Sequence, residues 1–369
     1  MAPGEIFAAR RLGPDCGPLA LSIHLLLDWL VILPEWLVIT ADKPGVGRGV
    51  RGYSLAWFLR TYFGRRAVAM QAPREAREAP IAADTVFLGL PTTLTPEEAL
   101  GLIERTGCRR LVVYDYLDQH ELAWTPEQEA ALRPRITRYL KPWFEQAWDD
   151  GVPRGLLPVR LRGRMHTVVT LDRIARCVRY APRPRYDVAF LGRPNRTRFY
   201  RDGAIHKVDQ RLDWLTELRN DAPELARFGG FIDRTHPRWG PDVEAFHFPG
   251  DKINFFAFWR ALRQSRVLLA PGGNVPWTYR HYECLYAGGV VVTIDYRRRD
   301  MLVPLPVDLM VHAPDVGPVL PSVREALERR EREPDLPERV YAHLEQYLKR
   351  GGYSRSRPKL MERFLSQLD

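Results

Sequence analysis

The sequence predicts an α/β protein that contains two Rossmann-like domains. Short apolar runs, typical of buried parallel strands, alternate with helical segments across residues 36–150 and again from residue 186 onward. At 369 residues, the chain is long enough for about two domains. Pro182 and Pro184 interrupt the pattern between the two blocks, which places the predicted domain boundary at about residue 183.

The first block predicts an N-terminal domain over residues 1–183. Strands are predicted at residues 36–40, 67–70, 84–90 and 110–114, and helices at 53–63, 95–106 and 126–148. Thr95 and Glu98 have the spacing of a capping box, in which two side chains satisfy free amides at a helix start. Residues 151–186 are harder to assign, and short strands are predicted there at 156–162 and 167–171.

The second block predicts a C-terminal domain over residues 184–350. Strands are predicted at residues 186–191, 227–232, 267–270, 290–294 and 308–311, and helices at 209–220, 252–264, 279–287, 322–332 and 337–350. Ser322 and Glu325 are spaced as a second capping box. Residues 351–369 form a C-terminal tail with a helix at 361–368, which is expected to pack back on the first domain.

The chain carries a formal net charge of +10, from 55 basic and 45 acidic residues. Arginine supplies most of the positive charge, and its guanidinium group suits bidentate contacts with phosphate or carboxylate. Two interpretations stay open. The excess of positive charge can reflect composition and solubility alone, or it can bind nucleotides, anionic glycans, anionic membrane surfaces or nucleic acid.

Cysteine usage and the N-terminus both favour a reduced, cytoplasmic location. The four cysteines contain no C-x-x-C pair, so neither a zinc site nor a disulfide framework is predicted; they are Cys16, Cys108, Cys177 and Cys284. The start of the chain lacks the ordered regions of a signal peptide. Residues 19–39 are apolar but are interrupted by Asp28, Pro34 and Glu35, so we interpret them as a buried helix and a strand. A helix on a membrane surface is the alternative.

Residues 265–295 carry the strongest functional signal in the chain. They read as a strand, a glycine-rich loop, a helix, a glycine break and a second strand. Pro271, Gly272 and Gly273 end the first strand and allow the backbone to approach a ligand closely. A helix N-terminus behind such a loop presents free N–H groups and a positive dipole end, which suits a phosphate.

The helix in this stretch carries a charged pair near its start. Thr278 is the predicted N-cap, and Gly288 and Gly289 end the helix. Arg280 lies in the first turn, where its charge is unfavourable beside the helix dipole unless an anion is present. Glu283 follows three residues later, on the same helix face. An arginine for phosphate beside a carboxylate for sugar hydroxyls is the composition of a nucleotide-sugar site; a surface ion pair is the alternative.

Two signals in the first block are weaker. Gly47, Gly49 and Gly52 satisfy the pattern G-x-G-x-x-G, but a dinucleotide site would also need an acid where the chain has Gln71. We therefore expect a glycine-rich turn beside the active cleft, and no bound cofactor. Acidic residues and a histidine follow the fourth strand, where α/β sheets place ligand chemistry; they are Asp115, Asp118, His120 and Glu121. They are candidates for a catalytic base, with a polar loop as the alternative.

The 265–295 stretch resembles the GT-B glycosyltransferases, specifically the exostosin-like and spore-coat-type groups. In those groups, a strand that ends in Pro-Gly leads into a helix with the pattern Tyr/Ser-x-Arg-x-x-Glu, then a glycine-rich stop and an apolar strand. The corresponding segments here are residues 270–273, 277–283 and 287–289. A weaker match covers residues 187–192, followed by two arginines.

This resemblance implies two domains that face each other across a cleft, with a nucleotide-sugar donor held by the second domain and an acceptor by the first. Arg280 would pair with the donor diphosphate, and Glu283 with the ribose hydroxyls. Arg193 or Arg196 would be a second phosphate contact. The other implied donor-binding residues lie in the loop and helix start: Gly272, Gly273, Asn274, Thr278 and Tyr279. The turn at Gly47, Gly49 and Gly52 would lie on the acceptor side.

Glycosyl transfer builds negative charge on the diphosphate leaving group, which preorganised cations and N–H groups stabilise. Another large class of glycosyltransferases uses a metal held by D-x-D, and this sequence contains no D-x-D. We therefore expect arginine and a helix dipole instead of a metal. An inverting enzyme would also need a base, for which Asp115, Asp118 and His120 are the candidates. Retaining GT-B enzymes often carry a second glutamate eight positions away, where this chain has Val291, so the stereochemical outcome stays open.

The sequence thus predicts a cytoplasmic, metal-independent glycosyltransferase of glycan biosynthesis. Its expected partners are a nucleotide-diphosphate sugar and a glycan, lipid-linked or protein acceptor, with peripheral contact at the inner face of a membrane as a further option. A nucleotide-sugar epimerase of the same fold is one alternative. A non-catalytic protein that binds anions or nucleic acid is the other, and it is disfavoured because the chain has no nucleic-acid-binding signature.

Overall fold

The computed structural model describes residues 34–40, 55–56, 58–60, 63–64, 66–117, 119–145, 151–158, 183–201, 204–250, 253–348 and 359–369. Several predictions fall elsewhere: most of the apolar segment at 19–39, the glycine motif at 47–52, Asp118, and the strand at 167–171. They lie outside the described residues and stay predictions.

The first domain contains a parallel sheet. Its strands are β1 (Trp36–Ile39), β2 (Val68–Gln71), β3 (Thr85–Leu90), β4 (Arg110–Asp115) and β5 (Ile136–Lys141), followed by β6 (Trp143–Glu145) and β7 (Arg154–Leu156). The helices are α1 (Pro73–Glu78), α2 (Pro96–Thr106) and α3 (Pro126–Leu132). The sheet order is β2-β1-β3-β4-β5-β7, and β6 lies outside it. Every strand pair in this sheet is parallel.

The second domain contains another parallel sheet. Its strands and the neighbouring short ribbons are β8 (Tyr186–Gly192), β9 (Thr197–Arg201), β10 (Ala204–Val208), β11 (Arg227–Phe231), β12 (Ser265–Ala270), β13 (Val290–Thr293), β14 (Arg299–Met301) and β15 (Val311–His312). The helices are α4 (Gln210–Asp221), α5 (Pro241–Glu244), α6 (Phe255–Arg263), α7 (Arg280–Ala287), α8 (Leu320–Arg332) and α9 (Leu336–Leu348), and α10 (Lys359–Ser366) follows in the C-terminal tail. The sheet order is β11-β8-β12-β13-β15, and β9 pairs with β10 as a hairpin.

Both sheets bury both of their faces. On β1, Trp36 and Val38 belong to one hydrophobic cluster, whereas Leu37 and Ile39 belong to a second one. Because side chains of a strand alternate between faces, a strand covered on both sides must be apolar at every position. The predicted α/β class with Rossmann-like domains is confirmed.

Both sheets reverse their strand order at one point. Within each sheet, the second strand in chain order lies on one side of the first, and all later strands of the sheet lie on the other side. The reversal falls between β1 and β3 in the first sheet, and between β8 and β12 in the second. Open α/β sheets bind ligands in the crevice at the carboxyl ends of the two strands that flank such a point.

A strand ribbon and a helix are among the contacts that join the domains. The strand β6 pairs antiparallel with β14, and the buried Arg299 Nε lies 2.9 Å from Glu145 Oε2 within this ribbon. The helix α10 packs on the first sheet, with the ring of Phe364 at 5.2 Å from Phe58 and 6.4 Å from Phe87. The first domain is therefore completed by residues from the far end of the chain.

The predicted helix over residues 126–148 is wrong beyond its first turns. The helix α3 ends at Leu132, and the chain continues as β5 and β6. Pro134 has no amide hydrogen and cannot continue the helical bonding pattern, although Arg133 before it still has helical backbone angles. Ile136 and Tyr139 then favour a strand, because branched and aromatic side chains pack well on a sheet.

Of the two predicted capping boxes, one is present and one is not. The capping box of α2 is confirmed, because Thr95 Oγ1 accepts from Glu98 N at 3.2 Å and Glu98 Oε2 accepts from Thr95 N at 2.9 Å. The capping box at Ser322 is wrong, since α8 begins at Leu320 and the Ser322 hydroxyl donates to the His312 carbonyl oxygen instead.

The strand predicted at residues 308–311 is also wrong in its position. A 3₁₀ turn occupies Val307–Leu309, and the strand begins only at Val311. The β9–β10 hairpin and the β6–β14 ribbon were not predicted.

Candidate functional site

The two loops at the switch point of the second sheet are held by one arginine. Arg211 lies in the first turn of α4, and its side chain is largely buried. Its Nε donates to the Gly272 carbonyl oxygen at 2.7 Å, in the loop after β12. Its Nη1 donates to the Arg193 carbonyl oxygen at 2.7 Å, in the loop after β8. The neighbouring Gln210 accepts from the Gly272 amide at 2.9 Å. These bonds fix the distance between the loops, and sequence reasoning missed both residues.

The glycine-rich loop is tightly packed at Gly272 and less so at Gly273. A Cβ at Gly272 would lie 2.4 Å from Thr197 Cγ2 and 2.9 Å from Thr197 Oγ1. At Gly273 the nearest atom would be 3.5 Å away, which is ordinary contact. The Gly273 amide donates to the Val275 carbonyl oxygen at 2.8 Å, and the Asn274 carbonyl oxygen accepts from Arg198 N at 3.0 Å.

This packing predicts different outcomes for the two glycines. We expect Gly272→Ala to lower the free energy of unfolding by about 1–3 kcal/mol, because its new methyl group would overlap Thr197. Gly273→Ala is the matched control and should change stability by less than about 1 kcal/mol. Urea unfolding of both variants provides the measurement, and equal losses would contradict the packing explanation.

The helix α7 begins one residue later than predicted. Tyr279 occupies the N-cap position with helical backbone angles, and the Arg280 amide lies 3.4 Å from Thr278 Oγ1. Gly288 ends the helix in the left-handed region at φ 85°, as predicted. The Thr278 side chain thus faces the first amide of the helix, although it is not the N-cap residue itself.

Arg280 and Glu283 form a pair that is mostly shielded from solvent. Arg280 Nη1 lies 2.7 Å from Glu283 Oε2, and Arg280 Nη2 donates to the Leu191 carbonyl oxygen at 2.8 Å. The guanidinium also lies 4.7 Å from the centre of the Phe258 ring. Burial acts to lower the pKa of Arg280, but the interactions with Glu283, Tyr279 and Cys284 together outweigh it, so the pKa is raised. Arg280 therefore ties α7 to the carboxyl end of β8.

The predicted arginines of the β8 loop are more accessible. Arg193 pairs with Asp233 at 2.8 Å, and Arg196 with Asp209 at 3.0 Å; both arginine side chains are about half exposed. Burial alone would raise the pKa of Asp209, but hydrogen bonds from Arg238 and Arg196 outweigh it and lower the pKa. The carboxylates therefore hold these arginines in place without covering them.

An open depression of about 450 Å³ lies at this edge of the sheet. Its volume falls within the range of small-molecule sites. Segments that follow β8, β11 and β12 line it together with the β9–β10 hairpin; the lining residues are Asn195, Arg196, Arg198, Lys207, His236, Pro237, Arg238 and Asn274. Most of these side chains are cationic or polar, so the depression suits an anionic ligand.

Asp115 lies at the carboxyl end of β4 and is fully buried. Its carboxylate accepts from Lys141 Nζ at 3.0 Å, from the Tyr139 hydroxyl at 2.7 Å and from Leu117 N at 2.8 Å. Lys141 Nζ also donates to the Glu121 carbonyl oxygen at 3.1 Å. This geometry favours a structural role for Asp115, because its oxygens already accept several bonds and are shielded from solvent.

The loop after β4 also contains His120, which contacts the second domain. Its Nε2 donates to the Arg198 carbonyl oxygen at 2.8 Å, and Arg198 Nη1 lies 3.8 Å from Glu121 Oε1. Burial lowers the pKa of His120, and the bond to Arg198 opposes this only in part. A neutral imidazole with its proton on Nε2 keeps the lone pair on Nδ1, and this atom is buried, so a role as base requires it to become accessible to the acceptor. Of the predicted base candidates that are described, His120 and Glu121 lie at the domain boundary, whereas Asp115 is buried in the first domain.

Two features are absent from the described residues. No group of three or more His, Cys, Asp and Glu side chains there is arranged to hold a metal ion. No helix in that part of the chain is both long and apolar enough to span a bilayer.

The two parallel sheets, with the depression at the carboxyl edge of the second, define a two-domain α/β protein with a GT-B-like architecture. No protein-family model and no curated protein matches the sequence. Among solved structures, the chain is similar to an alpha-glucosyltransferase in complex with UDP and a 13-mer DNA that contains a central A:G mismatch. That likeness has a TM-score of 0.51 at 10% identity and covers 90% of this chain and 100% of the other.

A second similar structure is MnaA of S. aureus with UDP, at a TM-score of 0.36 and 9% identity, covering 85% of this chain and 91% of the other. A TM-score of 0.36 is too low to support an inference. The first likeness supports the fold alone. The narrower resemblance to the exostosin-like and spore-coat-type groups stays a prediction.

Proposed function

We propose that this protein is a glycosyltransferase that moves a sugar from a nucleotide-diphosphate donor to an acceptor hydroxyl. The observation that carries the proposal is the cationic depression at the switch point of the second sheet, beside two loops that Arg211 holds together. This is where open α/β sheets bind nucleotides. The GT-B-like fold is a supporting observation.

In this proposal, the donor diphosphate lies against the loops that follow β8 and β12. Arg193 and Arg196 make its first contacts, because their guanidinium groups are about half exposed. Gly272, Gly273, Asn274, Thr278 and Tyr279 provide the backbone beside it. A direct contact of Arg280 with phosphate and of Glu283 with ribose requires their mutual ion pair to open. While this ion pair is closed, Arg280 contributes to the site only by tying α7 to the carboxyl end of β8.

The chemistry follows from the charge that develops at the leaving group. As the bond between sugar and diphosphate breaks, negative charge grows on the diphosphate oxygen, and fixed cations stabilise it. His120 is our proposed base for the acceptor hydroxyl, since the loop after β4 brings it to the second domain. Val291 is buried within β13, so the chain has no carboxylate at that position to support a retaining mechanism.

Calorimetric titration with UDP-, GDP- and dTDP-sugars tests the proposal. We expect one of these donors to bind, and the double variant Arg193→Ala/Arg196→Ala to weaken its binding by about tenfold or more, since hydrogen bonds to charged groups contribute about 1.5–3 kcal/mol. Arg324→Ala is the matched control, because this exposed arginine on α8 lies outside the depression.

Binding of none of these donors would contradict the proposal, as would equal binding by wild type and the double variant. Product analysis without an acceptor separates a transferase from an epimerase. Conversion of the donor sugar under that condition would favour the epimerase.

A further inference from the structure

A cavity of about 200 Å³ lies in the second domain, between α4 and the edge strand β11. Its lining comes from α4, β8, β11, β12 and the segment that follows α5. It shares no lining residue with the cationic depression at the carboxyl edge of the same sheet. The cavity and the depression are therefore separate spaces.

Two glycines of β11 explain why this space is left open. Gly229 and Gly230 line the cavity and have positive φ angles of 106° and 137°. A Cβ at Gly229 would lie 1.7 Å from the Phe190 main-chain oxygen, and a Cβ at Gly230 would lie 2.2 Å from the Phe246 main-chain oxygen. Because no side chain fits at either position, β11 cannot fill the cavity there.

Most of the residues that line the cavity are apolar. They include Phe190, Phe228 and Phe246, together with aliphatic residues of α4, β8 and β12. Protein interiors pack closely and leave few voids larger than a water molecule. An apolar cavity of about 150 Å³ is already large enough to bind benzene. Aromatic rings also pack favourably edge to face against one another. The cavity therefore suits a single six-membered aromatic ring.

Two arginines line the same cavity, and both side chains are exposed. The Arg219 guanidinium lies 4.5 Å from the centre of the Phe246 ring, and its Nη1 lies 3.4 Å from the Ala245 carbonyl oxygen. Arg227 Nη1 donates to the Leu218 carbonyl oxygen. Neither arginine forms an ion pair with a carboxylate in the part of the chain that the structure describes. Guanidinium groups bind carboxylates and phosphates through paired hydrogen bonds, so the mouth of the cavity suits an anionic group.

We propose that this cavity is a second ligand site, which binds a small anion that carries one aromatic ring. The ring occupies the space beside Phe190 and Phe246, and the carboxylate or phosphate group contacts Arg219 and Arg227. The proposal does not rest on the proposed function, because no residue of the donor depression lines this cavity. The helix α4 is common to both regions, since its first turn contains Arg211, which holds the donor loops, and its last turn contains Arg219.

Benzoate and its uncharged analogue benzyl alcohol are the probes, titrated into the full chain at constant ionic strength and followed by saturation-transfer NMR. We expect benzoate to bind about tenfold more tightly than benzyl alcohol. Arg219→Gln should weaken benzoate binding by about tenfold, as expected for loss of a charged hydrogen bond, and should change benzyl alcohol binding by less than about threefold. Arg74→Ala is the matched control, because it removes an exposed arginine from α1 in the first domain.

Two further variants locate the bound probe. Leu215→Trp places a larger side chain in the cavity lining and should weaken binding of both probes, with folding checked by circular dichroism. The double variant Arg193→Ala/Arg196→Ala removes cations from the donor loops and should bind benzoate as the wild type does. If Leu215→Trp does not fold, the comparison of Arg219→Gln with this double variant still locates the anion.

Three results would overturn the inference. One is a failure of benzoate to bind the wild type. The second is equal benzoate affinity in the wild type and Arg219→Gln. The third is loss of benzoate binding in the Arg193→Ala/Arg196→Ala variant, which would place the anion at the donor loops. Benzoate binding that depends on Arg219, together with no binding of any nucleotide sugar, would support this site and contradict only the proposed function.

Discussion

Replacing Lys141 with methionine is expected to lower the free energy of unfolding by about 3–5 kcal/mol. Lys141 and Asp115 are both fully or almost fully buried, with Nζ at 3.0 Å from the carboxylate. Removal of the lysine leaves a carboxylate in the interior without its counter-charge, which is far less favourable than removal of both charges. Urea unfolding monitored by circular dichroism provides the measurement.

The double variant Asp115→Asn/Lys141→Met is the control for this effect. Its asparagine is neutral and can still accept from the Tyr139 hydroxyl, so we expect it to recover most of the lost stability. A loss below about 1 kcal/mol in Lys141→Met would contradict the importance of the pair. If the proposed function holds, we also expect the single variant to reduce the proposed transfer activity, because the Lys141 ammonium holds the loop that contains His120.

Stability should also fall between pH 6.5 and about pH 4 because of His281. This residue is fully buried in α7; its Nδ1 donates to the Thr278 carbonyl oxygen at 2.7 Å, and its Nε2 lies 2.8 Å from Thr293 Oγ1. Burial lowers the pKa of His281 to about 4, below the value of about 6.5 for an unfolded chain. Between these values the unfolded state binds a proton that the folded state does not. The contribution of His281 to the free energy of unfolding is therefore complete above pH 6.5 and is lost as the pH falls toward 4.

The size of this effect is roughly 3 kcal/mol, at about 1.4 kcal/mol for each unit of pKa difference. Free energies of unfolding at pH 7.5 and pH 4 should therefore differ less in His281→Asn than in the wild type, by about that amount. His206→Asn is the control, since it removes an exposed histidine from the hairpin. An equal pH dependence in wild type and His281→Asn would contradict this role.

The strands and the glycine-rich loop could be predicted because short stretches of neighbouring residues determine them. β12 and β13 are buried on both faces, so their apolar runs are continuous in the sequence. Gly288 must adopt the left-handed region, which glycine does without strain. Prediction failed where two local signals compete. At Pro134, the helical spacing of the residues before it led us to extend the helix over residues that form β5.

The arrangement of the site could not be predicted because its contacts join distant parts of the chain. Arg211 bonds to Gly272, which lies 61 positions away, and His120 bonds to Arg198 across 78 positions. Arg211 follows no motif, and only the packing of α4 against the sheet brings it between the two loops. The exposure of Arg193 and the enclosure of Arg280 likewise depend on which carboxylates and carbonyl groups the fold places beside them.

The docking of α10 on the first sheet determines the order in which the domains are completed during synthesis. Domains generally fold as units, with the N-terminal one first. Here Phe364 packs against Phe58 and Phe87, so part of the first domain's core is translated only after the whole second domain. The nascent first domain must therefore leave an apolar surface open until α10 arrives. A ribosome-bound chain that stops before residue 359 should expose this surface to chaperones.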